Sequence, residues 1–581
     1  MEGKVVSLHN PKTFCIKFPF SYDTVNKVKT LLGKRWHPTG KYWTAPINDF
    51  NRGKLEEWGF TFDQYVAKHS KEAPKALETS ELKTKAELRP YQIEGVNWFH
   101  QHNGNILLAD EQGLGKTVQT ISYVNSVKRF PCVIICPNSL KLNWKIEIQK
   151  WTGDRNIYVC EGRKPSVSSK FLSKHNWIII NYDILAGHSQ DSVKNNAKET
   201  ARLRSIPSWF SRIKDAECTM MVLDESQNIK NEDSKRTKAV MELGRWISGR
   251  ACLSGTPISN RPMEFYTTIK LVDPTLFPNK YAFGRRYCGP KNNGFGTTYN
   301  GASNLEELHK ILTSSFMIRR LKSDVLKDLP DKQKIVVPVS MEAARARQYF
   351  EAEVDFIKFM QKHFSQAKVE KAKRAEAIMK LNTLRKMAMQ GKLLSCIEWI
   401  EDFLESGKKL VVFAWHQEAV NTIMDKFGKI AVKIDGSVNA NERQLAVDAF
   451  QKDDKVRLFV GNIKAAGTGL TLTAASDTCT IELSWSPADL AQAEDRVHRI
   501  GQKNAVCNYY LLANSTIDEY MMNLVDAKQQ IISKVMEGEE ADTDTLLGEL
   551  MGQYLKNGQS IIDRHTVGEL DELFIEDEEN F

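Results

Sequence analysis

Long apolar runs and paired cysteine motifs are both missing from this sequence. No apolar stretch reaches the roughly 18 residues that a membrane-spanning helix needs. None of the ten cysteines forms a Cys-x-x-Cys pair, and MEGKVVSLHN shows no basic segment followed by an apolar one. These absences argue against membrane insertion, export and structural zinc. We therefore expect an intracellular, monomeric protein with reduced thiols and no membrane partner.

The chain carries only a slight excess of positive charge. Its 581 residues include 81 Lys plus Arg and 72 Asp plus Glu, a net charge of +9. That excess permits a polyanionic partner without establishing one. The last residues, which include ELDELFIEDEEN, are strongly acidic, so the rest of the chain is more basic than the average suggests.

Apolar runs alternate with helical patterns in two separate regions. NILLAD, CVIICP, WIIINYD, MMVLDE and ACLSG belong to the first region, and KLVVFAW, AVKIDG, RLFVGN, TCTIEL and VCNYYLL to the second. Fully apolar strands separated by helices are typical of parallel sheets that are covered on both faces. We therefore predict an α/β fold with two parallel-sheet lobes, helical insertions and a small α+β module at the N-terminus.

This pattern predicts seven segments along the chain. They are a small module at 1–66, a charged linker at 67–85, a first lobe at 86–275, helical protrusions and an inter-lobe linker at 276–390, a second lobe at 391–505, a brace helix region at 506–536 and an acidic tail at 537–581.

A glycine-rich turn between a strand and a helix, DEQGLGKT, is a candidate phosphate-binding loop. Gly113 and Gly115 allow main-chain amides to approach phosphates at a helix N-terminus, whose dipole favours anions. Lys116 is placed to reach the β- and γ-phosphates, and the Thr117 hydroxyl to ligate Mg²⁺. Asp110 stands where the strict pattern has glycine, and we include it among the nucleotide-binding candidates. On this motif alone, an ordinary strand-to-helix turn stays the alternative.

Two adjacent carboxylates end the apolar strand in MMVLDESQNIK. Asp224 would hold Mg²⁺, and Glu225 would orient and activate the attacking water, which are the two requirements of phosphoryl transfer to water. A solvated strand end is the alternative. Together with the upstream lysine loop, the pair predicts hydrolysis of ATP with Mg²⁺ as the metal.

AQAEDRVHRIGQ places two arginines three residues apart, which predicts that they share one face of a helix. Arg496 and Arg499 are candidate arginine fingers that neutralise charge in the transition state. A surface helix held by salt bridges is the alternative.

Six motifs occur in a diagnostic order: LRPYQ, DEQGLGKT, DESQ, LSGTP, GTGLTL and DRVHRIGQ. Over about residues 86–535 the chain resembles the Swi/Snf-type ATPases of helicase superfamily two. The resemblance implies two RecA-like lobes with ATP bound in a cleft and translocation along one strand of a duplex. One departure is Gln112, where the family usually has methionine. The resemblance adds three pairs of residues to the site. It places Arg89 and Gln92 near adenine, and Gly467 and Gly469 near the two arginines. It places Ser254 and Thr256 in the motif that couples the ATP state to DNA binding.

Loops that follow the predicted strands supply candidate DNA contacts. Hydroxyls, amides and single lysines suit phosphate contacts, which position a protein without reading sequence. We therefore expect little sequence preference and a steep loss of affinity with salt. Trp144 and Trp415 are weighed equally as DNA contacts and as core residues, and Tyr182 and His416 lie beside the candidates. The candidates are Ser139, Lys141, Asn143, Asn181, Trp415, Asn462, Lys464 and Thr468.

Basic and aromatic residues alternate in KRWHPTGKYWTAP, within the N-terminal module. Such residues can stack on unpaired bases, so Lys34, Arg35 and Trp36 are candidate contacts to DNA. The alternative is that the tryptophans fill the core of the module, a strong alternative for Trp43. The segment resembles the HARP module of SMARCAL-type annealing helicases, which implies recognition of forked or junction DNA.

The acidic end has two interpretations. Leu546, Leu550 and Tyr554 suit a short amphipathic helix, and IEDEENF is similar to the acidic tips of single-strand DNA-binding proteins. Such a tip would dock on a replication or single-strand-binding partner, or in the protein's own basic groove. A solvated tail is the alternative.

Three functions follow from these patterns. The leading one is a DNA-dependent ATPase and double-stranded DNA translocase that acts in DNA repair at replication forks by strand annealing, fork reversal or branch migration. The second is an ATP-driven remodeller that strips proteins from DNA or recycles a polymerase. The third, a DNA-binding scaffold without turnover, conflicts with the intact catalytic motifs. We expect a bacterial or phage host, because few accessory segments surround the motor.

Overall fold

A computed structural model describes most of the chain. The described residues are 3–10, 13–47, 49–63, 76–85, 87–187, 208–257, 262–292, 297–299, 301–364, 371–466, 470–537, 552, 554, 556–558 and 561. The chain divides into two units: the first holds residues 1–327 and 532–543, and the second holds residues 328–531 and 544–581. Among the helices that the structure describes, none is long and apolar enough to cross a lipid bilayer.

The N-terminal module is a five-stranded sheet in the order β3-β4-β2-β1-β5, with two helices on one face. Phe14 and Ile16 of β2 are fully buried with Val28 and Leu55 of the helices, so the predicted strand is confirmed. Cys15, on the other face of the strand, is buried as well. The elements are β1 (Val5–Asn10), β2 (Thr13–Lys17), α1 (Tyr22–Val28), β3 (Arg35–His37), β4 (Tyr42–Pro46), α2 (Asp49–Glu57) and β5 (Thr61–Phe62).

Lobe 1, the rest of the first unit, is built on a seven-stranded sheet in the order β14-β6-β11-β10-β7-β9-β8. Every pairing in it is parallel. The central strands are apolar at nearly every position and buried, because helices cover both faces. The strands are β6 (Ile106–Leu108), β7 (Cys132–Cys136), β8 (Ile157–Val159), β9 (Trp177–Asn181), β10 (Met220–Asp224), β11 (Gly249–Leu253) and β14 (Met317–Ile318).

The helices of lobe 1 follow its strands and continue into a helical extension beyond β11. They are α3 (Pro90–Gln101), α4 (Lys116–Ser126), α5 (Lys141–Thr152), α6 (Ser169–Leu172), α7 (Tyr182–Ala186), α8 (Trp209–Lys214), α9 (Lys235–Leu243), α10 (Tyr266–Val272), α11 (Lys280–Tyr287), α12 (Leu305–Ser315) and α13 (Lys322–Val325). A short hairpin, β12 (Lys291–Asn292) with β13 (Thr297–Thr298), lies within the extension.

Lobe 2 is a second parallel sheet, in the order β15-β20-β19-β16-β18-β17. The two parallel-sheet lobes confirm the predicted fold class. The strands are β15 (Lys332–Val339), β16 (Leu410–Ala414), β17 (Ala431–Ile434), β18 (Leu458–Asn462), β19 (Asp477–Thr480) and β20 (Val506–Ala513). The helices are α14 (Ala343–Phe364), α15 (Lys371–Glu405), α16 (Gln417–Phe427), α17 (Ala440–Lys452), α18 (Ile463–Ala466), α19 (Pro487–Glu494) and α20 (Ile517–Glu537).

Three strands of the two lobe sheets fall outside the predicted limits of 86–275 and 391–505. β14 and β15 lie in the segment predicted to be helical, and β20 lies in the predicted brace region. β15 is an edge strand whose first residues, Lys332 to Lys334, are polar and exposed. Its apolar run, IVVPV, is interrupted by a proline, which weakens the strand pattern. β14 is only two residues long and gives no periodic signal.

The second half of the predicted linker, residues 76–85, lies along lobe 1. The amide of Leu77 donates to Asn97 Oδ1 (2.7 Å), and the amide of Lys85 donates to the carbonyl of Trp151 (2.7 Å). Leu77 and Leu82 pack against the core of lobe 1. Two isolated leucines in a charged segment make no helical or strand period, which explains why the sequence indicated only a linker.

Part of the predicted acidic tail is buried in the second unit. Tyr554 and Ile561 are almost fully buried, and a Cβ on Gly558 would stand 2.6 Å from Ile357 of α14. The Tyr554 ring packs edge-on against Phe356, with ring centroids 5.1 Å apart. These residues are therefore part of the core of the second unit, as an amphipathic segment would be. Leu546, Leu550 and the acidic terminal residues, for which a solvated tail is the alternative, lie outside the described part.

A buried carboxylate anchors that segment. Glu353 Oε1 accepts hydrogen bonds from the hydroxyls of Tyr349 (3.0 Å) and Tyr554 (2.7 Å), and all three side chains are buried. The Tyr349 hydroxyl also accepts from the amide of Ile517, at the start of α20 (2.8 Å). The network therefore joins α14, the C-terminal segment and α20.

Tyr554→Phe should destabilise the protein, because it leaves the buried Glu353 carboxylate with one donor fewer. We expect a cost of about 1–3 kcal/mol, measured as a melting temperature several degrees below that of the parent chain. Tyr22→Phe, at an exposed tyrosine of α1, is the matched control. Equal melting temperatures for the two variants would show that the hydrogen bond contributes nothing.

Candidate nucleotide-binding site and nucleic-acid contacts

The glycine-rich loop connects β6 to α4 as the sequence predicted. Gly113 (φ 87°) and Gly115 (φ 80°) both adopt left-handed backbone conformations, and Gly115 is the N-cap of α4. A Cβ on Gly115 would stand 2.6 Å from Gln92 Nε2, so any larger residue would collide with that side chain. The loop thus presents main-chain amides at a helix N-terminus, the arrangement that binds phosphate.

Lys116 begins α4 and turns its ammonium group back over the loop. Its Nζ donates to the carbonyls of Asp110 (2.8 Å) and Glu111 (3.2 Å). The ammonium group also lies close enough to Asp224 to lower the pKa of that carboxyl. The structure therefore brings the loop lysine and the β10 carboxylate into one site, with Thr117 partly exposed beside them.

Asp224 lies partly exposed at the carboxyl end of β10. Burial and the neighbouring Glu225 raise the pKa of Asp224 to about 6, against a hydrogen bond from the indole of Trp144 (2.8 Å) that lowers it. The hydroxyl of Tyr182 donates to the main-chain oxygen of Asp224 (2.8 Å). Trp144 is fully buried, so it is a core residue and not an exposed DNA contact. The sequence did not indicate the hydrogen bond that its indole donates to Asp224.

A chain of hydrogen bonds runs from Glu225 to the LSGTP motif. Gln227 Nε2 donates to Glu225 Oε2 (2.7 Å), and the Ser254 hydroxyl donates to Gln227 Oε1 (2.8 Å). The amide of Thr256 donates to Ser254 Oγ (3.1 Å). The amide side chain of Gln227 can satisfy both neighbours, because it carries one donor group and one acceptor. Gln227 thereby orients the carboxylate of Glu225, whose backbone adopts a left-handed conformation (φ 51°) beside Asp224.

Gln92 lies against the glycine loop. Its Nε2 donates to the carbonyl of Leu114 (3.3 Å), and its Oε1 accepts from the amide of Arg89 (3.0 Å), the N-cap of α3. Gln92 is buried, whereas Arg89 is exposed. Both nucleotide candidates therefore border the loop, and their contact with adenine stays a prediction.

The two candidate arginines lie in lobe 2, just after α19. That helix ends at Glu494, so the prediction that Arg496 and Arg499 share one face of a helix is wrong. The turn that replaces the helix still aligns them, because Nη1 of each donates to the carbonyl of Leu470 (3.3 and 2.8 Å). Gly467, Thr468 and Gly469 lie outside the described residues.

A second group of predicted residues converges at the carboxyl ends of β16 and β18. The ammonium group of Lys464 lies 4.5 Å from the ring centroid of Trp415, and Asn462 Nδ2 donates to the carbonyl of Trp415 (2.6 Å). His416 donates from Nδ1 to Glu482 Oε1 (2.5 Å). Although burial opposes ionisation of Glu482, the bonds from His416 lower its pKa. Lys464 is exposed and Trp415 half-buried, so this patch offers a cation and a ring to solvent.

The remaining DNA candidates of lobe 1 divide by burial. Asn181 and Tyr182 are buried at the end of β9, which leaves little of either side chain for a phosphate. Ser139, Lys141 and Asn143 are partly exposed, and Lys141 Nζ donates to the carbonyl of Cys160 (3.1 Å). A DNA contact at these three residues stays a prediction.

In the module, the candidates lie on different faces of the sheet. Trp36 pairs with Trp43 across β3 and β4, with ring centroids 5.3 Å apart, on the face that carries the helices. Trp43 packs against the module core, in agreement with the alternative that the tryptophans fill that core. Arg35 points to the opposite face, because neighbouring residues of a strand alternate. Lys34 is exposed, and partial desolvation of its ammonium group, together with the charge of Arg286 of α11, lowers its pKa.

Two family models match the chain. The model of the SNF2-related domain matches residues 91–393, and the model of the helicase conserved C-terminal domain matches residues 392–501. The chain belongs to the SNF2-related family. The predicted resemblance to Swi/Snf-type ATPases is therefore confirmed.

Relatives of this SNF2-related chain include annealing helicases. The Xenopus laevis SWI/SNF-related matrix-associated actin-dependent regulator of chromatin subfamily A-like protein 1 is 36% identical over 77% of this chain and 44% of that protein. Its Caenorhabditis elegans homolog is 31% identical over 89% of this chain and 74% of that protein. The human DNA annealing helicase and endonuclease ZRANB3 is 31% identical over 78% and 41%. The chain thus spans less than half the length of the frog and human relatives.

A buried arginine that the sequence did not indicate holds the glycine-rich loop of this SNF2-related chain. Arg320 Nε donates to Asp110 Oδ1 (3.0 Å) and Nη2 donates to Oδ2 (2.6 Å), and both residues are buried. Arg320 also donates to Gln119 Oε1 (2.9 Å) and to the carbonyl of Tyr91. The Asp110 carboxylate is therefore engaged with Arg320, and a direct contact between Asp110 and a nucleotide stays a prediction.

Residues next to Arg320 also form hydrogen bonds with the loop. The main-chain amide of Glu111 donates to the carbonyl of Arg320 (2.9 Å), and the amide of Lys322 donates back to Glu111 Oε2 (2.7 Å). The Arg319 guanidinium donates to the carbonyl of Ala109 (3.1 Å). The segment that follows β14 thus fixes both the backbone and the side chains at the start of the loop.

Arg320→Met should cost about 3–5 kcal/mol of stability, because Asp110 would stay buried without its cation. A double-mutant cycle by thermal unfolding separates this effect from lost packing: Arg320→Met combined with Asp110→Leu should recover much of the loss. Arg285→Met, at an exposed arginine of α11, is the control. If the stability losses of the two single variants add in the double variant, the broken ion pair is not the cause of the Arg320→Met loss.

Proposed function

We propose that this protein is a DNA-dependent ATPase that moves along double-stranded DNA and remodels forks and junctions. One observation carries the proposal: the loop lysine, Lys116, and the carboxylates Asp224 and Glu225 meet in one site at the carboxyl ends of β6 and β10. Ligands of open α/β sheets bind at that edge. Membership of the SNF2-related family supports the same conclusion.

The residues of the site suit ATP and Mg²⁺. The positive φ angles of Gly113 and Gly115 make a cradle of main-chain amides, and Lys116 is positioned to bind the β- and γ-phosphates. Thr117 and Asp224 are the proposed holders of Mg²⁺, which supplies neutralisation of charge on the phosphates when bound. Asp110 positions the loop through Arg320.

The proposed division of roles follows from the hydrogen bonds of the site. Glu225 accepts the proton of the attacking water, or orients that water, while Gln227 fixes its carboxylate. Because Gln227 is also bound to Ser254, a shift of the LSGTP motif would move the carboxylate. Arg496 and Arg499 are the proposed sources of positive charge for the transition state.

We propose that DNA contacts are made by phosphate-binding side chains of both lobes. The patch of Trp415, Asn462 and Lys464 is the strongest candidate, because its cation and ring are brought together at a strand end. Ser139, Lys141 and Asn143 supply candidates in lobe 1. Contacts of this kind carry little sequence preference.

The choice of forks and junctions rests on the N-terminal module and on the relatives, among which the human protein is named a DNA annealing helicase. The alternative, a remodeller that strips proteins from DNA or recycles a polymerase, uses the same motor. A replication partner for the acidic terminal residues also stays a proposal. Nothing in the relatives favours the expected bacterial or phage host, since those described above come from animals.

Lys116→Ala should lower ATP turnover about a hundredfold or more, because it removes a preorganised cation from the phosphates. ATPase rates are compared with single-stranded, duplex, forked and four-way-junction DNA side by side. We expect forks and junctions to stimulate the parent chain most. Lys174→Ala, at an exposed lysine of lobe 1, is the matched control. Equal stimulation by duplex and fork would favour the stripping remodeller, and turnover by Lys116→Ala would contradict the site.

The ATPase rate should fall as pH falls through about 6 when Mg²⁺ is limiting, because Asp224 must lose its proton to bind the metal. Trp144→Phe removes a hydrogen bond that favours the ionised carboxylate, so the acid limb should move to higher pH. Saturating Mg²⁺ should move it to lower pH. Trp151→Phe, whose indole on the same helix donates to Glu147 (2.8 Å), is the control. An unchanged limb in Trp144→Phe would exclude Asp224 as the titrating group.

A further inference from the structure

The turn that carries the two proposed arginine fingers, residues 494–499, also carries two carboxylates. We call it the arginine turn. Glu494 ends α19, Asp495 is the C-cap of that helix, and Arg496 follows directly. Arg496 and Arg499 both donate to a neutral main-chain carbonyl, that of residue 470. A carboxylate so close in the chain is a competing partner for a guanidinium group. Pairing with it would neutralise charge that the ATP phosphates require.

Lys332, the first residue of β15, binds both of these carboxylates. Its ammonium group forms an ion pair with Glu494 and lies 3.8 Å from Asp495 Oδ1. The carboxylate side chains are only 10% and 8% exposed, and that of Lys332 is 29% exposed. Ion pairs that are partly buried in this way are weakly screened by salt. The lysine therefore engages the two carboxylates that stand next to the arginines.

Tyr510 of β20 binds the same glutamate. Its hydroxyl donates to Glu494 Oε1, whereas Lys332 contacts Oε2. Burial, followed by the charge of Glu494, raises the pKa of Tyr510 well above its usual value, so the hydroxyl keeps the proton that it donates. Both oxygens of Glu494 are thus engaged by residues of β15 and β20.

The main chain at the start of β15 is attached to the same region. His498, which lies between the two arginines in the sequence, donates from Nε2 to the carbonyl of Pro330 (2.9 Å). The amide of Val506, the first residue of β20, donates to the carbonyl of Asp331 (2.8 Å). Residues 330–332 therefore contact the arginine turn or the strand that follows it at three successive positions.

We propose that the start of β15 positions the two arginines for the ATP phosphates. Lys332 keeps the two carboxylates of the arginine turn from pairing with its guanidinium groups, and His498 attaches the turn to the main chain at Pro330. Both are positioning residues, since they act through the arginines. Positioned charge contributes most to catalysis when it needs no rearrangement at the moment of reaction. The proposal rests on the proposed ATPase and adds what keeps its arginines available.

Lys334 offers a matched comparison on the same strand. It is paired with a carboxylate as Lys332 is, that of Asp526 on α20, and the two lysines line one cavity of about 180 Å³. Asp526 stands in the sequence LVDAKQ, which contains no arginine. Loss of Lys334 therefore breaks a similar ion pair but releases no carboxylate beside the arginine turn.

The test measures steady-state ATP hydrolysis by the full chain on saturating duplex DNA. We expect Lys332→Met to lower kcat about tenfold to a hundredfold, since a small displacement of a catalytic group costs that much. KM for ATP should stay within about twofold, because the glycine-rich loop is unchanged. Lys334→Met should keep the kcat of the parent chain. Lys332→Gln replaces Lys332→Met if thermal unfolding shows that the latter is not folded at the assay temperature.

Removal of the released carboxylate separates this role from a loss of stability. Glu494→Gln keeps an acceptor for Tyr510 but cannot neutralise a guanidinium group. Lys332→Met combined with Glu494→Gln should therefore recover much of the lost kcat, and Lys332→Arg should lose little.

Three results would overturn the proposal. They are a parental kcat in Lys332→Met, an equal loss in Lys334→Met, and a folded double variant without recovery. Absence of DNA-stimulated ATP hydrolysis in the parent chain would instead count against the proposed motor.

Discussion

The buried ion pair between Arg320 and Asp110 is the constraint on which the site of lobe 1 depends. It joins residues 210 positions apart and connects the segment after β14, at the end of the helical extension, to the start of the glycine-rich loop. A buried pair of this kind is costly to break, because either charge alone would be left in a poor solvent. The geometry of the loop is therefore sensitive to the helical extension, and so is the position of Lys116 over it.

A second constraint acts on the carboxylates. Asp224 accepts a hydrogen bond from the indole of Trp144, and the ammonium group of Lys116 lies near enough to lower its pKa. Glu225 is bound through Gln227 to the LSGTP motif. Phosphoryl transfer depends on positioned charge rather than on covalent chemistry by the protein. The hydrogen bonds that orient these two side chains therefore matter as much as the side chains themselves.

The sequence predicted the residues of the site better than their surroundings. The glycine loop and the Asp–Glu pair are local patterns that follow apolar strands, so their position at strand ends could be predicted. Arg320 could not, because an arginine in a charged segment carries no local sign of a partner 210 residues away. The polar role of Trp144 was missed for the same reason, since its indole bonds to Asp224, 80 residues away. The edge strand β15 was missed because its local pattern is weak, with exposed polar residues at its start. Arg496 and Arg499 show the reverse case, in which the spacing suggested a helix that ends two residues earlier.

Displacement of a third DNA strand tests most directly whether the protein moves along duplex DNA. A triplex-forming oligonucleotide is placed on a duplex, and its release is followed with ATP and with a non-hydrolysable ATP analogue. A protein that moves along the duplex should release the third strand with ATP alone. Hydrolysis of ATP on the same duplex without release of the third strand would contradict the account.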